Sequence, residues 1–443
     1  MSDVRGAVDA VMPGVVVDLE QLVAIPSVSS LPEHDGDVAR CAAEVQRLLE
    51  ELGCPSVRLL EAGGKPAVYG HFPAPEGAPT VLLYAHYDVQ PTGERSAWTA
   101  EPFRATERDG RLFGRGTADD KGGLAVHLAA LRAFEGRPPV GVKVFVEGEE
   151  EIGSPSMPAL LDTFADELSA DVFVIADSVN WEVGKPSLTT SLRGTVDAEV
   201  TVSTLATGLH SGQFGGVVPD ALTALCRLLA TLHDENGDVA VAGLLGSDDV
   251  SVEYPEDRLR EETGVLDGVE WIGTGSLAAR MWTKPAATVL AIDATPVRDA
   301  SNTLSPTARA KVSLRLAPGD DADRAAVALA RHLREHAEWG VRVDVVPGQA
   351  ASGSEIAMTD ERAAASVAAF DEAFGVTPVQ IGCGGSIPIV AEFAARNPGA
   401  LVLVTAVVDP TSRMHGIDES LDLGDLAKAA AAEALLLENL SQL

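Results

Sequence analysis

Cysteine, positive charge and long apolar runs are all scarce in this chain, and each shortage excludes something. The four thiols, Cys41, Cys54, Cys226 and Cys383, include no CxxC pair and no framework of the secreted kind. They read as reduced thiols of a cytoplasmic protein. Lys and Arg number 33 against 66 Asp and Glu, a formal net charge of −33. That balance argues against nucleic acid and anionic membranes as partners, since both need a positive face. No apolar run approaches the length of a membrane span. The stretch up to Val23 carries acids and no basic n-region, so it does not read as a secretory leader. No internal repeat and no low-complexity linker is present. What remains, 46% hydrophobic and 22% charged, is a globular composition. A length of 443 residues exceeds one ordinary core, so two domains are expected. The excess of carboxylates lowers the value of any lone Asp or Glu as a signal; position has to decide.

The chain turns on Gly114 to Gly123, GRGTADDKGG. Four glycines around two aspartates favour a tight turn over a regular element. The following stretch, LAVHLAALRAF from Leu124 to Phe134, has helical periodicity. Asp119 and Asp120 therefore stand just before a helix, near its positive end. Alone, an acidic N-cap would account for them. Upstream, Val15–Val23 and Val38–Leu52 read as amphipathic helices, the second closed by Gly53.

Four buried-strand runs then show one pattern. Thr80 to Val89 (TVLLYAHYDV) ends in His86 and Asp88; residues two apart in an extended chain share a side. Pro139 to Ser154 breaks into Glu147, Glu149, Glu150 and Glu151; Asp171 to Asn180 breaks at Asp177; Ala400 to Pro410 is followed by His415. Strands separated by helices predict an α/β domain, a mostly parallel sheet with helices on both faces. Sites in such sheets lie at the carboxyl ends of the strands, where these residues fall. A solvated charge run would not choose the same end of every buried strand. From Lys185 to about Gly348 the pattern changes to β-α-β-β-α-β, the order of a small split-βαβ α+β sandwich, with an acidic, loop-rich elaboration over Asn236–Trp282. The alternating stretch Leu188–Val202 reads as one half-exposed strand of it. His415 lies beyond this segment yet must meet the ligands before it, so the small domain is an insertion. The expected domains are 1–187 and 350–443 for the discontinuous catalytic part and 188–349 for the insertion.

The strand-end set is His86, Asp88, Asp119, Glu150, Glu151, Asp177 and His415. Histidine and carboxylate without thiolate suit Zn, Mn or Co in a catalytic site. Two histidines and three carboxylates exceed one catalytic ion and suit two, roughly 3.5–4 Å apart. Of two adjacent glutamates, one binds metal and the other stays free as general base, which is the equipment for amide hydrolysis. YAHYDVQP, GRGTADDKGG, EGEEEIGS, VIADS and MHGIDES together resemble the successive motifs of the co-catalytic metallopeptidases, the family of carnosinases, aminoacylases, glutamate carboxypeptidases and acetylornithine and succinyl-diaminopimelate deacylases. The EGEEEIGS form, the long insertion and GLHSGQFGG are most similar to the carnosinase-like dipeptidases.

The resemblance implies that His86 and Asp177 bind one ion, Glu151 and His415 the other, and that Asp119 bridges them. It makes Glu150 the general base, has Asp88 orient His86, and places a cis peptide between Asp119 and Asp120. It implies two divalent ions, zinc first and manganese or cobalt as alternatives, and makes the insertion a lid and the interface of a homodimer. His210, in GLHSGQFGG, matches a histidine that reaches the partner's active site to stabilise the oxyanion; read alone it is a loop histidine. Arg315, in VSLRLAP, matches an arginine that holds the substrate carboxylate, and Asn302 is a further substrate-binding candidate from the same domain. Gly384, Gly385 and Ser386 offer backbone N–H groups to a substrate anion. Relatives often carry a basic–acidic pair just before that glycine pair, where this chain has Gly382 and Cys383. The expected activity is hydrolysis of dipeptides. The alternatives are deacylation of N-acyl amino acids on the same metals and, outside the enzymes, a metal-dependent scaffold or binding protein. His34, His71, His127, His233, His332 and His336 are assigned to structure or surface.

Overall fold

The computed structural model describes residues 4–385 and 387–443. The chain divides into two compact units, residues 1–190, 356–381 and 388–443 forming one and 191–355 with 382–387 the other.

The long sheet of the first unit runs, from one edge, Ser56–Leu60, Ala67–Phe72, Gly141–Glu147, Thr80–His86, Val172–Val179, Leu401–Val408 and Ser187–Leu192, with Val379–Cys383 beside the last. Its four middle strands are parallel, and the flanking pairs are antiparallel. The middle strands are apolar on both sides because both faces are covered. Val81, Leu83, Val142, Val144, Val174 and Leu403 pack into one core with helices Val4–Val23, Asp35–Glu51, Lys121–Ala133, Glu361–Phe374 and Leu423–Leu440. Tyr84, Phe145 and Phe173 point the other way, and Phe393 of helix Pro388–Arg396 stacks on Phe173 with ring centroids 4.4 Å apart. The mostly parallel sheet with helices on both faces is thus present.

The first helix is longer than its sequence suggests. It starts at Val4 and runs through Pro13, because Val4, Val8, Met12, Val15, Leu19 and Leu22 form one continuous buried stripe. A three-stranded sheet, Thr106–Arg108, Arg111–Phe113 and Ser420–Asp422, has no sequence signature, since each strand is three residues long.

The second unit holds an antiparallel sheet ordered Ala286–Asp293, Thr307–Leu316, Gly194–Ser203, Arg342–Ala351, with helices Ala221–Ala230 and Ala322–Glu335. Chain order is β-α-β-β-α-β, the split-βαβ arrangement. The stretch read as one strand over Leu188–Val202 is two, Ser187–Leu192 and Gly194–Ser203. The break is Arg193: its side chain is buried and donates to Met281 O (2.7 Å) and Lys284 O (2.9 Å), a destination that alternation along a single strand does not allow.

Helix Lys121–Ala133 is buried from Lys121 through Leu131, so its sequence shows no polar face over that span. Its first turn carries Gly122 and Gly123 because there is no room for more. A Cβ on Gly123 would run into Asp120 Oδ1 and lie 2.7 Å from the carbonyl oxygen of Ala176. We predict that Gly123→Ala destabilises the protein by about 1–3 kcal/mol through this overpacking, measured as a lower denaturant midpoint at unchanged m-value. A variant as stable as the wild type would contradict the packing described.

Candidate active site

The parallel strands deliver their chemistry at one end of the sheet. His86 and Glu147 are the last residues of adjacent strands, and Asp177 lies near the end of the next. The turn Gly114–Asp120 and the loop after Val408, which carries His415, complete the site. The Asp119–Asp120 peptide bond is cis.

Two clusters of potential ligands result, His86, Glu150 and Asp177 in one and Asp119, Glu151 and His415 in the other, each with donor atoms within 4.8 Å of one another. Asp119 touches both. Its Oδ1 lies 3.1 Å from His86 Nε2 and its Oδ2 2.9 Å from His415 Nε2. Glu151 Oε2 is 3.1 Å from the same His415 nitrogen.

The residues around the clusters aim them. The other ring nitrogen of His86 faces Asp88, 3.0 Å from its backbone oxygen and 3.4 Å from its carboxylate. The Asp88 carboxylate also accepts from the backbone N–H groups of Glu150 (3.3 Å) and Glu151 (3.1 Å). One buried acid therefore fixes the imidazole and the short helical turn bearing both glutamates. Gln90 holds Glu151 from the far side through its backbone N–H (3.1 Å) and its amide (2.8 Å). Asp120 stands at the N-cap position of helix Lys121–Ala133 but does not cap it; its Oδ2 accepts from His86 N at 3.1 Å, and its buried Oδ1 has no hydrogen-bond partner among the described residues. His127, assigned to structure, is buried between Glu433 (2.8 Å) and the Tyr84 carbonyl (2.9 Å).

The electrostatics call for cations. Burial, then the neighbouring Glu150, pushes Asp177 well above the ordinary carboxylate range. Burial likewise raises Asp120, with Asp119 adding to it against the opposing pull of His86. Glu150 is pushed up to about 7, mainly by burial, with Glu151 and Asp119 adding to it against His86, and Glu147, also by burial, to about 8. In the other direction His415, bonded first to Asp119 and then to Glu151, is held up at about 10. Burial works against a charged His86, but Asp119 and Asp88 outweigh it. Crowded carboxylates and imidazoles aimed at acids are what a pair of divalent cations would satisfy. The donor set, nitrogen and oxygen without sulfur, fits such ions.

His210, Asn302, Arg315, Gly384 and Gly385 belong to the second unit. Ser386 lies outside the described residues. His210 is exposed, accepts from Gly212 N through Nδ1 at 3.1 Å, and pairs with Thr303, next to Asn302, whose carbonyl accepts from Ser211 N. Arg315 sits on strand Thr307–Leu316 close enough to Arg193 to depress it; burial first, then Arg315, brings Arg193 down to about 10. Burial pushes the Cys383 thiol up, against the opposing pull of the Gly385 backbone and of both guanidiniums, and Gly384 lies near Arg193. Arg193 was missed in the sequence because an Arg between two alternating stretches looks like a surface residue. Gly382 is packed on Trp282 with no room for a Cβ, a local reason why a basic or acidic side chain is absent there. All four cysteines are free thiols. No helix among the described residues is long and apolar enough to cross a membrane.

Residues 82–439 match the model of peptidase family M20/M25/M40, and the chain belongs to that family. It is 36% identical over 435 residues to a cysteinylglycine-S-conjugate dipeptidase of Corynebacterium striatum, covering 95% of this chain and 94% of the relative. It is 27% identical to a Beta-Ala-His dipeptidase of Rattus norvegicus, over 89% of this chain and 82% of that one. Among solved structures, the dipeptidase Dug1p of Saccharomyces cerevisiae superposes with a TM-score of 0.83 at 24% identity, covering 99% of this chain and 98% of that one. Human carnosine dipeptidase 1 gives 0.82 at 24% identity over the same shares. The two structures share the fold.

Ligation requires neutral imidazole, so cations must displace protons here. We predict that loading metal-free protein at pH 7–8 releases protons, seen as a binding enthalpy that varies with buffer ionisation enthalpy, and that apparent affinity rises with pH toward about 10, the folded-state value of His415. By the same sign, a raised histidine stabilises metal-free protein below about 6.5 and loses that contribution as pH climbs through about 10. Affinity independent of pH would contradict the pairing of His415 with Asp119 and Glu151.

Proposed function

We propose that the chain is a dinuclear metallo-dipeptidase in which His86 and Asp177 hold one divalent ion, Glu151 and His415 hold the other, Asp119 bridges them and Glu150 is the general base. The family and the relatives support metal-dependent hydrolysis of dipeptides. The observation that carries the site is Asp119, with one carboxylate oxygen toward each histidine. Bound divalent ions supply Lewis acidity, lowering the pKa of water and polarising a carbonyl. The chain's own groups do the rest. Glu150 is half-buried and raised to about 7, so near neutrality it can take a proton from water and pass it to the departing amine. Asp88 and Gln90 keep His86 and Glu151 from turning away.

Arg315, with Arg193 beside it and the backbone of Gly384 and Gly385 near, is assigned the carboxylate of the substrate; guanidinium forks match that group. Asn302 is assigned a neighbouring substrate contact. His210 is assigned oxyanion stabilisation from a homodimer, as His210 of the partner subunit. Its support is the exposed position of the ring and the exposed apolar residues Val289, Leu290 and Ile292 on edge strand Ala286–Asp293. Zinc is the proposed ion, with manganese or cobalt as substitutes. The proposed setting is the cytoplasm, without nucleic-acid or membrane partners.

After chelation and restoration of Zn or Mn, the protein should cleave unblocked dipeptides and not N-acetyl or N-succinyl amino acids; cleavage of the acylated substrates alone would move it to the deacylases. Glu150→Gln should keep both ions and lose roughly 10²–10⁴ in kcat. Loss of an ion in that variant would make Glu150 a ligand instead, as its place beside His86 and Asp177 also permits. A fully active monomer in sedimentation and dilution assays would remove His210 from the chemistry.

A further inference from the structure

One buried acid outside both clusters touches the two segments that must meet for the site to exist. Glu419 is fully buried. Its Oε1 accepts from the backbone N–H groups of Gly116 (3.0 Å), Ala118 (3.0 Å) and Asp119 (3.1 Å). Its Oε2 takes Arg115 Nη1 at 2.5 Å, and its backbone oxygen accepts from Gly114 N at 2.9 Å. Arg115, also buried, sends Nη2 to Pro91 O (3.2 Å), just past the His86 strand, and to Gly416 O (3.1 Å), the residue after His415. Nothing larger than glycine fits at the centre: Gly116 has φ +82°, and a Cβ there would lie 2.6 Å from Val89. The short sheet pairing Ser420–Asp422 with Arg111–Phe113 feeds both segments into this knot.

His415 needs such support. It has φ +60°, its side chain is 53% exposed, and its loop lacks the sheet contacts that fix His86 and Asp177. A carboxylate receiving three backbone N–H groups and a guanidinium is a strong, directional anchor. We propose that Glu419 is a positioning residue for the two-ion site: through the backbone of Asp119 and, by way of Arg115, the carbonyl beside His415, it sets the spacing between the bridging aspartate and the Glu151–His415 pair. This rests on the two-ion reading above. The His86–Asp177 side has further support from its strands and from the Asp88 contact to His86, whereas His415 has only its loop, so losing Glu419 weakens the ion at Glu151 and His415 more than the one at His86 and Asp177.

The test is metal titration of metal-free protein with Zn or Co, read by calorimetry and by the visible absorption of Co, alongside thermal melting and dipeptide kinetics. Wild type should take up two ions per chain. Glu419→Gln offers the backbone donors one oxygen but turns an amide toward Arg115. It should keep one tight ion and bind the second roughly 10–100-fold more weakly. Arg115→Lys retains a buried positive charge but cannot reach Glu419, Pro91 and Gly416 together. It should give the same selective loss, and the double variant should be little worse, because both act through one device. Asp320→Asn, which disturbs a buried acid in the second unit, should melt lower and still bind two ions equally tightly. Two ions of unchanged affinity in Arg115→Lys, or in a folded Glu419→Gln, would overturn the positioning role. Wild type that takes up fewer than two ions would overturn the two-ion reading, and this proposal with it.

Discussion

Everything at the strand ends is arranged around an excess of buried negative charge. Asp119, Asp120, Asp177, Glu150 and Glu151 crowd against two imidazoles. Protons relieve the crowding only partly, as the upward shifts of Asp177, Asp120 and Glu150 show. Buried like charges are costly, and a fold retains them where cations return the energy. Asp119 is the hinge of this arrangement because its two carboxylate oxygens reach one histidine each.

The scaffold meets that demand by dividing the work between rigid and adjustable parts. His86 and Asp177 ride on parallel strands packed on both faces, where neighbouring strands fix position and direction. Glu150 and Glu151 sit on one short helical turn whose N–H groups end on Asp88. Asp119 and His415 come from a turn and a loop about 300 residues apart in sequence, joined by Glu419 and Arg115. In the second unit the same economy appears as two guanidiniums, Arg193 and Arg315, held close despite their repulsion. The Met281 and Lys284 carbonyls that accept from Arg193 hold it in place.

Much of this was legible in the chain itself. Apolar strands that each break into His, Asp or Glu at the same end announce both a parallel sheet and a site, and the ordered motifs pointed to the family. The sheet, its covering helices and the β-α-β-β-α-β order of the second unit follow from periodicity. Other features were not legible, for physical reasons. Asp120 looks like a helix cap, and only the folded chain shows its carboxylate turned to the His86 backbone. Arg193 lies where alternation suggests solvent, yet it is buried. Glu419 and Arg115 pair across a distance that no local pattern encodes, and the three-residue strands that bring them together are too short to leave a period.

The most direct test of the account is anomalous diffraction from metal-loaded crystals. The account predicts two peaks per chain, one between His86 and Asp177 and one between Glu151 and His415, with a carboxylate oxygen of Asp119 beside each and Glu150 free. A single peak, or two peaks with Glu150 in the place assigned to Asp119, would contradict it.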